Sequence, residues 1–217
     1  MSRYILSPHP QGSQGWLDDR AGKATGSRAA DMLAKTAKGE WSAKRRDYCL
    51  ELAVERLTGQ PEPQGFVSRE MQHGIDQEPF ARLDYEMATG NLVRESGFMY
   101  LPDLPVGCSV DGLFDEGGKT GLWEAKCPKS TTHIKYLEAQ ALPPEYKPQV
   151  LHNLWVTGAE FADFVSFDPR LPESVRLFIV RYVPTTDELA QHETEVMAFL
   201  AEVDQTVSRI LALGKAE

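Results

Sequence analysis

The hydrophobic residues of the N-terminal part of the chain recur at the three- and four-residue spacing of α-helices. Residues 14–37 predict a short helix, a turn from Gly22 to Gly26, and a second helix that Thr25 or Ser27 would cap. We therefore expect the chain to begin with helices rather than with strands.

Two longer helices are predicted next. One spans residues 43–58 and ends before Gly59, and the other spans residues 68–89 and ends before Gly90, since glycine commonly follows the last residue of a helix. Pro79 lies inside the second helix, where we expect a kink or a restart. The apolar positions that give the helical spacing are Leu50, Val54 and Leu57 in the first helix, and Ile75, Phe80, Leu83 and Met87 in the second.

From Leu92 onward the hydrophobic period changes to two, which is typical of β-strands. A hairpin turn is predicted at Gly117-Gly118. The predicted strands span residues 97–101, 106–110, 112–114, 122–126, 161–167 and 175–183. The predicted helices of this half run from Thr131 or Thr132 to Ala141, from Pro144 to Thr157, and over residues 185–213. Thr185-x-x-Glu188 forms a capping box at the start of the last helix.

Helices, then strands, then helices that pack on them predict an α/β (α+β) fold, in which a central mixed β-sheet is flanked by helices. The chain has no internal repeat, low-complexity segment or Gly/Ser linker. We therefore expect a single domain over residues 1–217. Its parts would be N-terminal helices (14–90), a sheet core (91–183) and a C-terminal helix (185–213).

The composition of the 217 residues narrows the class of protein. No apolar run approaches the ~18 residues of a membrane-spanning helix, and the N-terminus lacks the apolar stretch of a secretion signal. The three cysteines, Cys49, Cys108 and Cys127, form neither a disulfide framework nor a C-x-x-C metal motif. We therefore expect a cytoplasmic protein that does not bind a membrane.

Charge is unevenly distributed along the chain. The net charge of −9 argues against a general phosphate binder. Residues 1–50, however, hold 9 basic and 5 acidic side chains, whereas residues 51–183 hold 12 and 20, and residues 184–217 hold 2 and 7. A solvated helix face explains such an imbalance, and so does a positive entrance beside an acidic, metal-binding centre.

The candidate chemistry lies around the predicted hairpin. Residues two apart in a strand face the same side, so Glu124 and Lys126 project together while Ala125 turns away. If the hairpin forms, Asp111 comes beside Glu124. Two carboxylates and the Ala125 carbonyl are hard oxygen ligands that suit Mg²⁺, and Lys126 could orient or deprotonate an attacking water, or stabilise a phosphoryl charge. The alternative is an ordinary surface hairpin with a weak Glu/Lys pair.

Further motifs accompany this cluster in a fixed order: Arg20-Ala-Gly-Lys-Ala-Thr25-Gly-Ser27, Gly74-x-x-x-Glu78 with Tyr85, Ser109-x-Asp111-Gly112, Glu124-x-Lys126-Cys127-Pro128, and Tyr146-x-x-Gln149 with Thr157-Gly158. With these motifs the sequence resembles the phage lambda-type alkaline exonucleases, or YqaJ viral recombinases. This family is a branch of the restriction-endonuclease-like two-metal nucleases with a PD-(D/E)xK core. The resemblance runs from about Trp16 to Asp168. One departure is Val110, where the wider fold often has proline.

The resemblance implies catalytic roles at five positions. Asp111 would bridge two Mg²⁺ ions, for which Mn²⁺ can substitute, while Glu124 and the carbonyl of Ala125 would hold the first ion. Glu78 would help to hold the second ion. Lys126 would serve the attacking water. Gln149, as a further catalytic residue, would position that water or a metal ligand.

The resemblance also implies a substrate and partners. Arg20, Thr25 and Ser27 would bind the terminal 5′-phosphate of linear double-stranded DNA, and Ser109 would contact the scissile region. A homotrimeric ring would digest each 5′ strand to mononucleotides and leave a 3′ single-stranded tail. We therefore expect a Mg²⁺-dependent, prophage-derived 5′-to-3′ exonuclease that works in recombination with a single-strand annealing protein.

Other interpretations remain open from the sequence. The chain could be a non-processive, structure-specific or restriction-like endonuclease of the same fold, or a catalytically silent DNA-end-binding module. Intact Asp111, Glu124 and Lys126 argue against the silent module. The bland alternatives for three other residues are an ion pair of Arg20 with Asp18 or Asp19, a solvated Glu78, and a surface or capping role for Gln149.

Overall fold

The structure is a computed structural model that describes residues 3–62 and 68–214. Its strands are β1 (Ile5–Leu6), β2 (Ala24–Thr25), β3 (Phe98–Tyr100), β4 (Val106–Ser109), β5 (Gly112–Glu116), β6 (Lys119–Lys126), β7 (Phe161–Phe167) and β8 (Leu177–Tyr182). Its helices are α1 (Gln14–Arg20), α2 (Ala29–Met32), α3 (Ala43–Thr58), α4 (Arg69–Thr89), α5 (Ser130–Ala139), α6 (Lys147–Thr157) and α7 (Thr186–Leu213). Within these two ranges, no helix combines the length and the apolar character that crossing a membrane requires.

The predicted mixed α/β fold class is confirmed, but the strands form two sheets rather than one. One sheet has the order β5-β6-β7-β8, in which only the β6–β7 pair is parallel. The other has the order β1-β3-β4-β2, in which only the β2–β4 pair is parallel. Strand β4 ends at Ser109 and β5 begins at Gly112, so Asp111 lies in the short link between the two sheets.

The predicted short first helix is present as α1, with β1 before it, but the segment after α1 differs from the prediction. Thr25 belongs to β2, whose residue Ala24 pairs with Val106 of β4. A 3₁₀ turn, Gly26–Arg28, follows and leads into α2, which has only four residues. The predicted capping by Thr25 or Ser27 is wrong, because Thr25 makes no side-chain capping bond and Arg28 is the residue before α2. Pairing with a strand some eighty residues away overrides the local helical preference.

Helices α3 and α4 have the predicted extents, and α4 continues through Pro79 without a restart. Their buried side chains are not the ones that gave the helical spacing. Tyr48 and Leu52 of α3, and Ala81 and Tyr85 of α4, enter the core. The exposed apolar side chains are Leu50, Val54 and Leu57 on α3, and Met71, Ile75, Phe80, Leu83 and Met87 on α4.

Helix α6 is buried on all sides. Every residue from Val150 to Val156 is buried, and the helix packs against β4, the 3₁₀ turn and α7. A helix in this position shields its polar side chains from water, so most of their polar atoms need partners within the protein. It therefore carries polar groups into the interior, beside β6.

Candidate active site

The carboxylate of Glu124 is the centre of the site. Strand β6 alternates, so that Trp123 packs into one apolar cluster while Leu122 packs into another beside α6. Glu124 faces the α6 side and is only 2% exposed. Three side chains donate hydrogen bonds to its carboxylate: Lys126 Nζ to Oε1 at 2.6 Å, Gln149 Nε2 to Oε1 at 2.6 Å, and Asn153 Nδ2 to Oε2 at 3.2 Å.

Asp111 is fixed beside this carboxylate by the hairpin of β5 and β6. The register pairs Gly112 with Trp123, and Asp111 Oδ2 accepts a hydrogen bond of 2.8 Å from the backbone N–H of Ala125. The Lys126 ammonium lies 3.9 Å from the same oxygen. The structure thus brings Asp111, Glu124 and Lys126 into one cleft, with Gln149 from α6.

The negative charges in this cleft are not fully compensated. Burial, together with the charge of Asp111, raises the pKa of Glu78 to about 7, so Glu78 of α4 belongs to the same electrostatic cluster. Burial also raises the pKa of Glu124. Burial disfavours the charged form of Lys126, yet Glu124 and Asp111 hold its pKa above the ordinary value. Three carboxylates therefore face one ammonium group.

This donor set fits a divalent cation. In the described ranges, no three carboxylate, histidine or cysteine side chains converge closely enough to hold a metal ion. The oxygens of Glu124 bond Lys126 and two amides. The groups available are nevertheless oxygens of Glu78, Asp111 and Glu124, which are hard ligands with excess negative charge. Those residues, with the carbonyl of Ala125, are the groups that would hold a divalent cation.

Arg20 links α1 to the end of β4. Its Nη1 donates a hydrogen bond of 3.5 Å to Ser109 Oγ, and its guanidinium lies 4.3 Å from the ring centre of Trp16 and 5.4 Å from that of Phe98. Partial burial lowers the pKa of Arg20. It makes no ion pair with a described carboxylate, including the expected alternative partners on its own helix. Its guanidinium remains available to an anion beside Ser109.

Two hydroxyl groups stand near this arginine. Thr25 pairs with Gly107 of β4, two residues before Ser109. Thr25 Oγ1 and Ser27 Oγ are 3.4 Å apart, and the Thr25 N–H donates to the hydroxyl oxygen of Tyr48 at 3.0 Å. Thr25 is buried and Ser27 is exposed. The predicted phosphate-binding residues therefore lie on neighbouring elements next to the carboxylate cluster.

The sequence interpretation missed Asn153 and gave no role to Tyr146. Asn153 is 1% exposed and lies one helical turn after Gln149, so both amides reach the same carboxylate. The Lys126 ammonium lies 5.5 Å from the ring centre of Tyr146. A signal for Asn153 was present, because the run Val150–Val156 has no polar face, and an amide inside such a helix needs a buried partner.

An Asp directly before one strand of a mixed sheet, and a Glu-x-Lys on the strand that pairs with it, bring carboxylates and an ammonium group into one cleft. This arrangement is typical of phosphodiesterases. The family comparison agrees with this class. The family model of the YqaJ-like viral recombinase domain matches residues 15–160, and the chain belongs to this family.

Solved structures support the same assignment. An alkaline exonuclease from Laribacter hongkongensis is 36% identical, with 94% of this chain and 98% of that chain covered and a TM-score of 0.82. The structure of the same enzyme in complex with dAMP matches equally well. A phage-related exonuclease from Haemophilus somnus 129PT shares the fold at 16% identity and a TM-score of 0.63, over 87% of this chain and 96% of that one. A search of curated protein sequences gave no match.

Metal binding is expected to stabilise the protein through Asp111. Mn²⁺ at 100 times its Kd adds about 2.7 kcal/mol to the free energy of unfolding, which a thermal melt reports as a higher Tm. Asp111→Asn keeps an oxygen for the Ala125 N–H but loses the charge, so its Tm should not respond to Mn²⁺.

Because the raised pKa of Glu78 lets protons compete with the metal, the wild-type Tm shift should be smaller at pH 6 than at pH 8. Equal shifts in wild type and Asp111→Asn would exclude this site.

Proposed function

We propose that the protein is a Mg²⁺-dependent 5′-to-3′ exonuclease. It degrades one strand of linear double-stranded DNA from a 5′-phosphorylated end to mononucleotides and leaves a 3′ single-stranded tail for recombination by strand annealing. The observation that carries this proposal is the placement of the carboxylate cluster. Asp111 follows Ser109 by two residues, and Ser109 accepts a hydrogen bond from Arg20. The carboxylates proposed for hydrolysis therefore lie next to the arginine proposed to bind the phosphate.

Each residue of the carboxylate cluster has a separate proposed role. Asp111, Glu124, the Ala125 carbonyl and Glu78 would hold two Mg²⁺ ions, which would supply a Lewis acid at the scissile phosphate and lower the pKa of the attacking water. Lys126 donates to Glu124 Oε1 and lies 3.9 Å from Asp111 Oδ2, so it would serve the attacking water or stabilise charge on the phosphate. Gln149 holds the orientation of Glu124 through its hydrogen bond to Oε1.

The 5′-phosphate binds beside Ser109, at the guanidinium of Arg20. A terminal phosphate carries nearly two charges and several acceptor oxygens, which the guanidinium of Arg20 and the hydroxyls of Thr25 and Ser27 complement. The rings of Trp16 and Phe98, 4.3 and 5.4 Å from the guanidinium, attract its charge without using its N–H donors. The complex of the Laribacter relative with dAMP supports a mononucleotide product.

Assembly into a homotrimeric ring is part of the proposal. Helix α4 exposes Met71, Ile75, Leu83 and Met87, which succeed one another at intervals of one or two turns, together with Phe80. Such a row of large apolar side chains on a surface is typical of an interface. We assign it to the contact between copies around the duplex.

The biological setting proposed is recombination in the cytoplasm, by a prophage-derived enzyme. A single-strand annealing protein is the proposed partner, because a 3′ tail is the substrate that such a protein needs. The three cysteines are unpaired, which fits a reducing compartment.

The reaction is tested on linear duplexes with and without 5′-phosphate and on covalently closed circles, each with Mg²⁺ or EDTA. We expect Mg²⁺-dependent release of mononucleotides from the 5′ strand of linear DNA only. Lys126→Ala is the control that should bind ends but not cleave them. Cutting of closed circles would support the endonuclease alternative, and the absence of Mg²⁺-dependent cleavage on every substrate would support the silent end-binding module.

Arg20→Ala should abolish the preference for phosphorylated ends. The variant removes the planar donor pair beside Ser109, so cleavage of the 5′-phosphorylated duplex should fall towards the rate on the 5′-hydroxyl duplex. The ratio of the two initial rates is the measurement. Arg46→Ala is a matched control, because Arg46 is a surface arginine of α3 whose side chain bonds only the Trp41 carbonyl among the described groups. An unchanged ratio in Arg20→Ala would remove Arg20 from phosphate recognition.

The ring is tested by solution mass. Light scattering should give three times the 24.2 kDa of one chain. Leu83→Glu combined with Met87→Glu places charges in the α4 row and should lower the mass to that of a monomer. Leu50→Glu, which alters an exposed apolar residue of α3, should leave the mass unchanged. A monomeric wild type at micromolar concentration would contradict the ring.

A further inference from the structure

The side chain of Asn153 lies between the carboxylate cluster around Glu124 and the proposed phosphate-binding segment from Thr25 to Ser27. Asn153 donates through Nδ2 to Glu124 Oε2 at 3.2 Å, and its other polar atom, Oδ1, is buried with no hydrogen-bond partner among the described residues. The assignment of the two atoms is chemically required, because exchanging them would turn an oxygen towards the carboxylate. The unpaired Oδ1 therefore points away from Glu124.

Oδ1 points at Gly26. A Cβ atom added to Gly26 would lie 2.0 Å from Asn153 Oδ1 and 3.1 Å from its Cγ, whereas the nearest other atom, of His152, would be at an ordinary 3.5 Å. The backbone of Gly26 does not have a positive φ, so conformation does not require glycine there. The close approach of Asn153 is what requires glycine at this position.

Gly26 stands between Thr25 and Ser27, the two hydroxyl residues of the proposed phosphate pocket. One amide thus contacts a metal-holding carboxylate with one atom and the phosphate-binding segment with the other. The fit is tight on both sides, because Asn153 is 1% exposed and lies in the buried run of α6. A shift of either neighbour would shift the amide.

We propose that Asn153 is a positioning residue that sets the orientation of Glu124 for metal binding, with Gly26 as the surface that holds its amide in place. This inference rests on the proposed function. Lys126 and Gln149 both donate to Oε1, whereas Asn153 is the one side chain among the described residues that donates to Oε2. Loss of Asn153 would therefore leave this oxygen without a donor to orient the carboxylate plane. Outer partners of metal ligands typically contribute 10- to 100-fold to metal affinity.

The first test measures Mn²⁺ binding to the DNA-free protein by isothermal titration calorimetry. Asn153→Ala should weaken Mn²⁺ binding about 10- to 100-fold, while binding of a 5′-phosphorylated duplex in EDTA remains close to wild type. Asn91→Ala is the matched control, since Asn91 Nδ2 donates to a carboxylate oxygen of Glu116 at 3.1 Å, away from the site. It should keep the wild-type Mn²⁺ affinity. Asn153→Leu, which fills more of the space, gives a second variant if the alanine variant does not fold.

The second test is a double-mutant cycle with Gly26→Ala. The added Cβ displaces the amide, so Gly26→Ala alone should weaken Mn²⁺ binding as Asn153→Ala does. In the double variant the clash is gone, and its affinity should be no weaker than that of Asn153→Ala. Additive losses would overturn the role of Gly26, and a Mn²⁺ affinity of Asn153→Ala or Asn153→Leu within twofold of wild type would overturn the proposal.

A different experimental result would exclude the proposed function. If wild-type protein binds Mn²⁺ but leaves phosphorylated linear duplexes intact, the exonuclease is excluded while the metal-affinity data still decide the role of Asn153. If wild-type protein does not bind Mn²⁺ at all, the positioning role is excluded.

Discussion

The structure depends on the burial of one carboxylate, that of Glu124. A buried carboxylate is costly unless it is paired and hydrogen-bonded, and here Lys126 of the same strand and two amides of α6 provide the donors. This requirement explains why a helix that is buried from Val150 to Val156 carries Gln149 and Asn153 one turn apart. It also joins β6 to α6, and through Asn153 to the Gly26 turn, so that the same contacts that make the core stable orient the candidate metal ligand.

The distribution of charge accounts for an acidic protein with a proposed DNA substrate. Much of the acid is neutralised locally, as where Arg181 bonds both Asp163 and Glu116. The cleft keeps an excess of negative charge for a divalent cation, while Arg20 contacts a hydroxyl and two aromatic rings instead of a carboxylate. The acidic cleft and the positively charged Arg20 are therefore neighbours, although the net charge of the chain is −9. A sum over the chain does not report this arrangement.

The sequence predicted what short-range rules determine. Strand alternation and a hairpin were enough to place Asp111 beside Glu124, and Gly59 ended α3 as expected. It did not predict contacts made over long distances. Strand β2 exists because β4 pairs with it. Periodicity shows that α4 has an apolar face, but it cannot show whether the face enters the core or remains exposed, as Leu83 does. Asn153 was missed because its partner lies on another element.

We propose that the buried Glu124 cluster holds a divalent cation next to a phosphate pocket. A crystal structure of the protein with Mn²⁺ and a 5′-phosphorylated duplex tests it most directly, since anomalous scattering locates the metal. We expect anomalous peaks bounded by the carboxylates of Asp111 and Glu124, with the terminal phosphate bonded to Arg20. Mn²⁺ bound elsewhere, or a 5′-phosphate held away from Arg20, would contradict it.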